Sequence, residues 1–315
     1  MRCPSVVILV LFLSGWTAYP GPAAAEPKKD VYIIPGAPLG DTSTSGIGTP
    51  QILDIMEKVF RAIEQKTGIE LRYQEHDCRY GVEGGGPGVR DCSEVFSKLF
   101  RKGEADFSIM GPWEYVDGLE KGMPVKPLAA LSMDSKKTFR YCLYVNSGVA
   151  GKAGTVKGMK GKTVAESCPA EGLQQILFEN GIETPNDKFF ANKIQTPLAS
   201  ALYSLVLKEA DTVCMNDGYF KFSRSMDKRF SGISELYCTK ESYGSSLIVY
   251  REGIDPGVLK RLKAVLLKMH KDKDFGEIKF LLIAVNGRFV EIEDSDYNSF
   301  RALLKRAREK GWTRK

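Results

Sequence analysis

The sequence has very little histidine. Only His76 and His270 occur in 315 residues, and neither adjoins a plausible nucleophile. The G-x-S-x-G, H-E-x-x-H and complete Walker motifs are missing as well. A candidate catalytic site needs a nucleophile, a base and an orienting group in one constellation, and the sequence offers none. We therefore predict a protein that is not an enzyme and that uses no cofactor and no metal ion.

Long apolar runs are missing everywhere except at the N-terminus. There, Arg2 precedes an apolar stretch over residues 6–13, and three alanines at positions 23–25 precede Glu26. This order of a positive residue, a short apolar core and small residues is typical of a secretory signal peptide and is too short for a membrane span. We predict a signal peptide over residues 1–25 and a mature protein that is exported to the periplasm.

The C-x-x-C motif is also missing, which argues against a thioredoxin-like redox site and a zinc knuckle. Six cysteines follow the predicted signal peptide: Cys78, Cys92, Cys142, Cys168, Cys214 and Cys238. An even number in an oxidising compartment favours disulfides, although six cysteines allow many connectivities. The first candidate pair brackets a glycine-rich loop, the second (Cys142 and Cys238) lies in apolar runs, and the third (Cys168 and Cys214) ends two strands. Buried free thiols are the alternative.

The charge is only moderately basic, with 45 lysines and arginines against 39 acidic residues and a formal net charge of +6. The basic residues are not interleaved with aromatic residues, as they are on many nucleic-acid-binding surfaces. We therefore expect no nucleic-acid partner. The charge supports at most a mild preference for anionic ligands.

One helix–turn–strand–loop unit occurs twice. The two copies read EADFSIMGPWEY and EADTVCMNDGY, and their first residues, Glu104 and Glu209, lie 105 residues apart. An apolar helical pattern precedes each copy, and a short apolar strand follows each EAD. Two such copies, a domain's length apart, predict two similar α/β lobes. The alternative is that such units recur by chance in any α/β protein.

The loops of the two copies are candidate binding loops. If each strand lies in a parallel sheet, both loops lie at carboxyl ends of strands, where open α/β sheets bind ligands. The first loop offers Gly111, Trp113 and Tyr115, and the second offers Asn216 and Asp217. Core packing of the two aromatic side chains and turn formation by the aspartate are the alternatives.

Two other segments run from a strand into a helix N-terminus. The hydroxyl-rich loop DTSTSGIG precedes a helix that starts near Thr49, and Ser167 lies near the start of a helix after the strand Thr163-Val164-Ala165. Helix N-termini bind anions through free backbone N–H groups. Capping alone would also explain the hydroxyl groups.

Five segments, in order, resemble the phosphate/phosphonate-type periplasmic substrate-binding proteins of ABC transporters. They are GEADFSIMGPWEYV, FRYCLYVNSGV followed by VKGMKGKTVAESCPAEG, LKEADTVCMNDGYF, SYGSSLIVYREGIDPGVLKRLKAVLLKM and GRFVEIEDSDYNSFRALLKRA. The resemblance spans most of the mature chain. It implies an α/β, two-lobed, type 2 periplasmic binding protein fold, in which each lobe is a mostly parallel sheet flanked by helices and two crossing strands join the lobes. It also implies that residues 26–135 and 246–315 form lobe 1 and residues 136–245 form lobe 2.

The resemblance further implies a monomer that binds a small anionic or zwitterionic solute and delivers it to an ABC permease. The residues that would line the cleft are Ser43, Thr44, Ser45, Gly111, Trp113, Tyr115, Ser167, Asn216 and Asp217, with Tyr243 near the second crossing. The turn at Ser167 departs from the family, because it offers few hydroxyl groups and Pro169 lacks an N–H. Glu171 in that turn would repel a dianion or bind an amine of the ligand. An exported sensor that signals to a membrane receptor is the alternative function.

Overall fold

The computed structural model describes residues 31–36, 49–76, 78, 92–133, 136–148, 154–196, 198–276 and 287–312. In chain order, the first elements are β1 (Val31–Gly36), α1 (Thr49–Thr67), β2 (Glu70–Glu75), α2 (Cys92–Lys102), β3 (Phe107–Met110), α3 (Pro112–Glu120), β4 (Val125–Ser132) and β5 (Thr138–Phe139). The predicted signal peptide, the hydroxyl-rich loop with Ser43, Thr44 and Ser45, and the glycine-rich loop over residues 79–91 lie outside the described residues.

The middle and last parts of the chain follow the same alternation of strand and helix. The middle elements are β6 (Tyr141–Asn146), β7 (Thr163–Glu166), α4 (Ala170–Glu179), α5 (Asn186–Phe189), β8 (Asn192–Gln195), α6 (Leu198–Val206), β9 (Thr212–Asn216), α7 (Asp217–Met226) and β10 (Ile233–Cys238). The last are β11 (Tyr243–Gly244), β12 (Leu247–Arg251), α8 (Pro256–Lys268), β13 (Arg288–Val290) and α9 (Asn298–Glu309).

Two larger sheets organise these elements. The first sheet has the strand order β13-β4-β12-β3, and the second has the order β10-β6-β9-β7-β8. Two short pairs accompany them, the parallel pair β1-β2 and the antiparallel pair β5-β11. Both strands of the β5-β11 pair lie between the two sheets along the chain. The pair therefore marks the place where the chain passes from one sheet to the other.

The strand directions differ from the mostly parallel arrangement that the resemblance implied. In the first sheet β12 is antiparallel to both β3 and β4, and β13 is antiparallel to β4. In the second sheet β9 pairs in parallel with β7, and β7 with β8, but β6 is antiparallel to both β9 and β10. Along the chain, β6 directly follows β5 and β12 directly follows β11. Each of these two strands enters its sheet from the crossing and lies between two strands that run in the opposite direction.

The two EAD copies have matching hydrogen bonds. The Asp106 N–H donates to the Ile33 carbonyl at 2.9 Å, and the Ile33 N–H donates to Asp106 Oδ2 at 2.8 Å. In the second copy the Asp211 N–H donates to the Thr163 carbonyl, and the Thr163 N–H donates to Asp211 Oδ2, both at 2.9 Å. Each aspartate thus joins the start of its strand to a neighbouring strand, β1 in the first copy and β7 in the second. The repeat seen in the sequence is a repeat of structure.

The helix ends that precede the two copies also match, but their residues differ. Gly103 (φ 71°) ends α2, and Lys208 (φ 61°) occupies the same place after α6. The following N–H groups close equivalent bonds, from Glu104 to the Leu99 carbonyl and from Glu209 to the Ser204 carbonyl. A left-handed backbone is natural for glycine and unfavourable for a residue with a Cβ.

We expect Lys208→Gly to raise the free energy of unfolding by about 0.5–1 kcal/mol, because the strain in the left-handed backbone exceeds the extra entropy of glycine in the unfolded chain. Gly103→Ala should lower it by about 1 kcal/mol for the converse reason. Lys160→Gly is a matched control, since Lys160 has φ −57° and should gain nothing. Urea unfolding followed by circular dichroism measures all three, and a destabilised Lys208→Gly protein would contradict the argument.

All three predicted cysteine pairs are disulfides in the structure: Cys78–Cys92, Cys142–Cys238 and Cys168–Cys214. The second joins two directly opposed residues of β6 and β10. The third joins the turn before α4 to β9. The prediction of disulfides is confirmed, and free thiols are excluded as the state of these six residues.

The apolar core has three parts. One cluster lies between the first sheet and helices α1 and α8, and another lies between the second sheet and helices α6 and α7. The third is continuous across α2, α3, α4 and α9. At its edge, Arg306 Nη1 of α9 donates to Gln175 Oε1 of α4 at 2.7 Å, and the Trp312 and Phe178 rings lie 5.4 Å apart. The last helix therefore contacts elements on both sides of the crossing strands.

No helix in the described part of the chain combines the length and apolarity that crossing a bilayer requires.

Candidate functional site

The loop predicted after the first EAD strand is the first turn of a helix. Gly111 is the N-cap of α3, Pro112 follows at the first helical position, and Trp113 and Tyr115 belong to the helix. Proline is favoured at this position because its missing N–H would have no partner there and its fixed φ suits the helix. The prediction of an open aromatic loop was therefore wrong. Gly111 instead places a helix N-terminus directly at the end of β3.

The two aromatic residues of this turn have different surroundings. Trp113 is half-buried and packs edge-on against Phe300, with ring centroids 6.4 Å apart. Tyr115 is 1% exposed, its ring packs on Tyr297 at 4.9 Å, and its hydroxyl donates to Asp294 Oδ1 at 2.7 Å. Burial and this hydrogen bond raise the pKa of Tyr115. Tyr115 is a core residue, and we do not keep it among the candidate ligand contacts.

The second copy likewise passes from its strand directly into a helix. Asn216 is the N-cap of α7, and its Oδ1 accepts the Tyr219 N–H at 2.6 Å. The Asp217 carboxylate accepts the Arg140 N–H at 2.9 Å and lies 3.3 Å from Arg140 Nε. The Asp217 N–H donates to the Arg140 carbonyl at 3.0 Å. Asn216 and Asp217 thus cap a helix and tie it to the segment between β5 and β6.

The turn before α4 carries the residues that departed from the family pattern. Pro169, not Ser167, is the N-cap of α4, and no side chain caps it. The Ser167 N–H donates to the Cys214 carbonyl at 3.0 Å, which places Ser167 at the end of the sheet. Glu171 lies in the first turn of α4 and is 7% exposed. A buried carboxylate is therefore part of this helix N-terminus.

A buried polar network supports the start of α4 from behind. Asn186 Nδ2 donates to the Ala170 carbonyl at 3.0 Å, and Lys193 Nζ donates to Asn186 Oδ1 at 3.0 Å. Lys193 Nζ also lies 3.3 Å from Glu166 Oε1, whose side chain is 1% exposed. A buried ion pair joined to hydrogen bonds fixes a single arrangement, because breaking it leaves a buried charge unpaired. The first turn of α4 is held in place by these contacts.

Tyr141 is the residue that the sequence analysis missed. It is the first residue of β6, is 5% exposed and packs against Phe139 at 5.0 Å and Tyr243 at 5.3 Å. A Cβ at Gly172 would lie 2.7 Å from its ring, so α4 can approach Tyr141 only because residue 172 is glycine. Burial raises the pKa of Tyr141, and nearby Tyr243, Glu114 and Glu171 raise it further.

Glu114 is the other missed residue. It is the third residue of α3, and its carboxylate is folded back over Gly111, where a Cβ would collide with Oε2. A glutamate at this position commonly turns back to the helix N-terminus, whose partial positive charge it stabilises. Glu114 and Glu171 thus lie in the first turns of two helices, and both raise the pKa of Tyr141. A signal existed in the sequence, since Glu114 comes four residues after the end of β3 and Glu171 comes five residues after the end of β7.

Tyr243 lies at the second crossing, as predicted, but it is completely buried. Its ring contacts those of Tyr141 at 5.3 Å and Phe300 at 5.9 Å. Burial raises the pKa of Tyr243, and Glu241 and Glu179 raise it further while Arg306 lowers it. The ring of Tyr243 therefore belongs to the aromatic cluster that surrounds Tyr141.

One cluster in the described residues has ligand atoms close enough for a metal ion. Cys142, Glu235 and Cys238 place one ligand atom each within 4.8 Å of one another. Both sulfur atoms belong to the Cys142–Cys238 disulfide, so neither is a thiolate that could bind a metal.

The fold and the site define a class: two mixed α/β sheets linked by two short crossing strands, with helix N-termini close to the crossing. A family model described as ABC transporter, phosphonate, periplasmic substrate-binding protein matches residues 89–297. The chain belongs to this family. Its members are substrate-binding proteins, which are a non-enzymatic class, and the family implies a periplasmic location, a small-molecule ligand and an ABC permease as partner.

Solved structures agree on the fold at low sequence identity. A binding-protein component of an ABC phosphonate transporter from Pseudomonas aeruginosa has a TM-score of 0.64 at 12% identity, covering 90% of this chain and 88% of that one. PhnD1 from Prochlorococcus marinus, solved with methylphosphonate, has a TM-score of 0.63 at 15% identity, covering 90% and 99%. The sulphonate-binding protein SsuA from Escherichia coli has a TM-score of 0.56 at 12% identity, covering 91% and 95%. Among curated protein sequences, none matches this chain. The predicted type 2 binding-protein fold is confirmed.

Proposed function

We propose that this protein captures a small anionic or zwitterionic solute in a cleft between two lobes and delivers it to an ABC permease. Residues 26–135 and 246–315 would form lobe 1 and residues 136–245 lobe 2. The β5-β11 pair supports this division, because it separates the strands of the two main sheets. Residues 1–25 would be a signal peptide, and the mature protein would act as a monomer.

The observation that carries the proposal is the convergence of the starts of α3 and α4 on Tyr141. Tyr141 lies next to the crossing strands, Gly172 of α4 lies against its ring, and nearby Glu114 and Glu171 raise the pKa of Tyr141. Ligand sites are commonly concave, with aromatic walls and a few convergent polar groups. Closure of two lobes around such a site would bury the ligand and exclude water.

Ligands that differ in one chemical group test the proposal. We expect the purified protein to be stabilised by at least one member of a panel of phosphate, phosphite, alkylphosphonates, aminoalkylphosphonates, alkylsulfonates and small amines. A ligand at about one hundred times its dissociation constant should add about 2.7 kcal/mol to the free energy of unfolding. Small-angle X-ray scattering should show a smaller radius of gyration with that ligand, because the lobes close. A panel without any stabilising member would contradict the proposal and favour the receptor-signalling alternative with another ligand.

A further inference from the structure

The last helix, α9, begins against both crossing strands. Tyr297, in the turn before α9, donates its hydroxyl to the Ser245 carbonyl at 2.7 Å, and a Cβ at Gly244 of β11 would lie 2.7 Å from its ring. Beside β5, Lys137 Nζ lies 2.5 Å from Asp296 Oδ1 of the same turn. The start of α9 is therefore held at the place where the chain passes between the two sheets.

From this start, α9 runs along α3 in the same direction. The Phe300 ring in the first turn of α9 packs on Trp113 in the first turn of α3, with centroids 6.4 Å apart. Two turns later, Arg308 forms an ion pair with Glu120, the last residue of α3. Contacts near both ends hold α9 to α3, as expected if both helices belong to lobe 1 of the proposed division.

The opposite side of α9 runs along α4. Arg306 Nη1 donates to Gln175 Oε1 at 2.7 Å, and Gln175 is only 3% exposed. Further along both helices, the Trp312 and Phe178 rings lie 5.4 Å apart, and Lys310 Nζ lies 4.8 Å from the Phe178 centroid. We call these contacts the α9–α4 contact. They show that α9 lies between α3 and α4, the two helices whose starts converge on the candidate site.

We infer that the α9–α4 contact is a latch that opposes closure of the two lobes. This inference rests on the proposed function, since it requires lobes that rotate about the crossing strands. The starts of α3 and α4 lie beside these strands, whereas the α9–α4 contact lies about 10 Å further along α4. A rotation that closes the lobes in front of the helix starts moves the far halves of the helices apart. Closure must therefore break the contacts that α9, held on α3, makes with α4.

A latch of this kind has a specific effect on binding. It lowers the share of the closed form in the ligand-free protein, and the apparent dissociation constant of a ligand that needs the closed form rises as that share falls. Weakening the latch should therefore tighten the binding of every ligand by the same factor. A residue that touches the ligand would instead change the binding of different ligands by different factors.

Pulsed electron paramagnetic resonance on the ligand-free protein tests the latch directly. Spin labels are attached to ketone-bearing amino acids at two exposed positions, Lys126 in lobe 1 and Lys188 in lobe 2, so that the disulfides stay intact. We expect the distance distribution to shift in the double variant Arg306→Ala/Trp312→Ala. Arg308→Ala is the matched control. It removes the same charge from the same helix but breaks a contact with α3, so the native distribution should remain.

Calorimetric titration with methylphosphonate and with methanesulfonate measures the effect on binding. We expect Trp312→Ala to lower the dissociation constant about threefold to tenfold, by the same factor for each probe that binds. Phe178→Ala removes the other ring of the same contact and should give a similar gain. The double variant Phe178→Ala/Trp312→Ala should gain no more than either single variant, because both substitutions remove one shared contact.

The outcomes separate the latch from the proposed function. An unchanged distance distribution in Arg306→Ala/Trp312→Ala, or an equal shift in Arg308→Ala, would overturn the latch and leave the proposed function standing. A dissociation constant that rises in Trp312→Ala would also overturn it, because the contact would then favour the closed form. A shifted distribution without binding of any member of the ligand panel would support the latch and contradict the proposed solute.

Thermal melts of the ligand-free variants show that each is folded. If Arg306→Ala/Trp312→Ala melts early, Trp312→Ala alone is labelled and measured in its place. Trp312 is half-buried and follows the last helix, so its removal disturbs the core less than the loss of a buried residue would. The same shift of the distance distribution is expected, and its absence would overturn the latch.

Discussion

Replacing Cys142 and Cys238 together by alanine is expected to lower the free energy of unfolding by about 4–5 kcal/mol. The two cysteines are 96 residues apart in the sequence but directly opposed on neighbouring strands. In the chain-entropy description, a crosslink destabilises the unfolded chain more when it closes a longer loop. A loss of this size is a large part of the total stability of a typical protein.

The other two disulfides are internal controls for this prediction. Cys168–Cys214 closes 46 residues and Cys78–Cys92 closes 14. The same description gives losses of about 4 and about 3 kcal/mol. Guanidinium unfolding of the three double-alanine variants measures the order directly. Equal losses, or a larger loss for the shortest loop, would show that unfolded-chain entropy does not decide the contributions.

Asp106→Ala is expected to lower the free energy of unfolding by about 3–5 kcal/mol, whereas Asp211→Ala should cost only about 1 kcal/mol. The two residues are equivalent in the repeat and make the same pair of backbone contacts. They differ in burial and in their charged partner. The Asp106 side chain is 0% exposed and lies 3.4 Å from Arg251 Nη2, while the Asp211 side chain is 43% exposed and lies 3.9 Å from Lys162 Nζ.

The difference follows from what each substitution leaves behind. Removing Asp106 leaves Arg251, whose side chain is 12% exposed, as a buried charge that has lost an anionic partner. It also leaves the Ile33 N–H without its acceptor in the interior. Water can replace the lost contacts at Asp211, because that site is partly exposed. Asp106→Asn keeps an acceptor oxygen and should recover part of the loss, and equal effects of both alanine variants in urea unfolding would contradict the argument.

Several features of this protein could be predicted from the sequence because they depend on near neighbours. The helix that ends at Gly103, the strand over Phe107–Met110 and their second copy follow from local hydrophobic periods and turn residues. The presence of disulfides followed from the even number of cysteines after the predicted signal peptide, and the three pairs were candidates among many connectivities. The two-lobed fold followed from the repeat and from five segments in a familiar order.

Other predictions failed because local patterns do not reveal partners. Trp113 and Tyr115 were predicted in an open loop, although Pro112 is a helix-start signal that could have been recognised. Asn216 is the corresponding helix-start signal in the second copy. Asp217 was a candidate ligand contact, but the structure pairs it with Arg140, 77 residues away. An acidic residue in a turn looks the same in the sequence whether it binds a ligand or a neighbouring arginine.

By itself, the sequence determined the binding-protein class and the internal repeat, since local periodicity and the order of the segments encode them, whereas the connectivity of the six cysteines was decided by the tertiary structure. Only the tertiary structure decided the composition of the candidate site. Glu114, Tyr141 and Glu171 belong to three different elements. Gly172 lets α4 approach the Tyr141 ring, and the two glutamates are near enough to raise the pKa of Tyr141. Such an arrangement depends on packing between distant segments, and no local pattern in the chain records it.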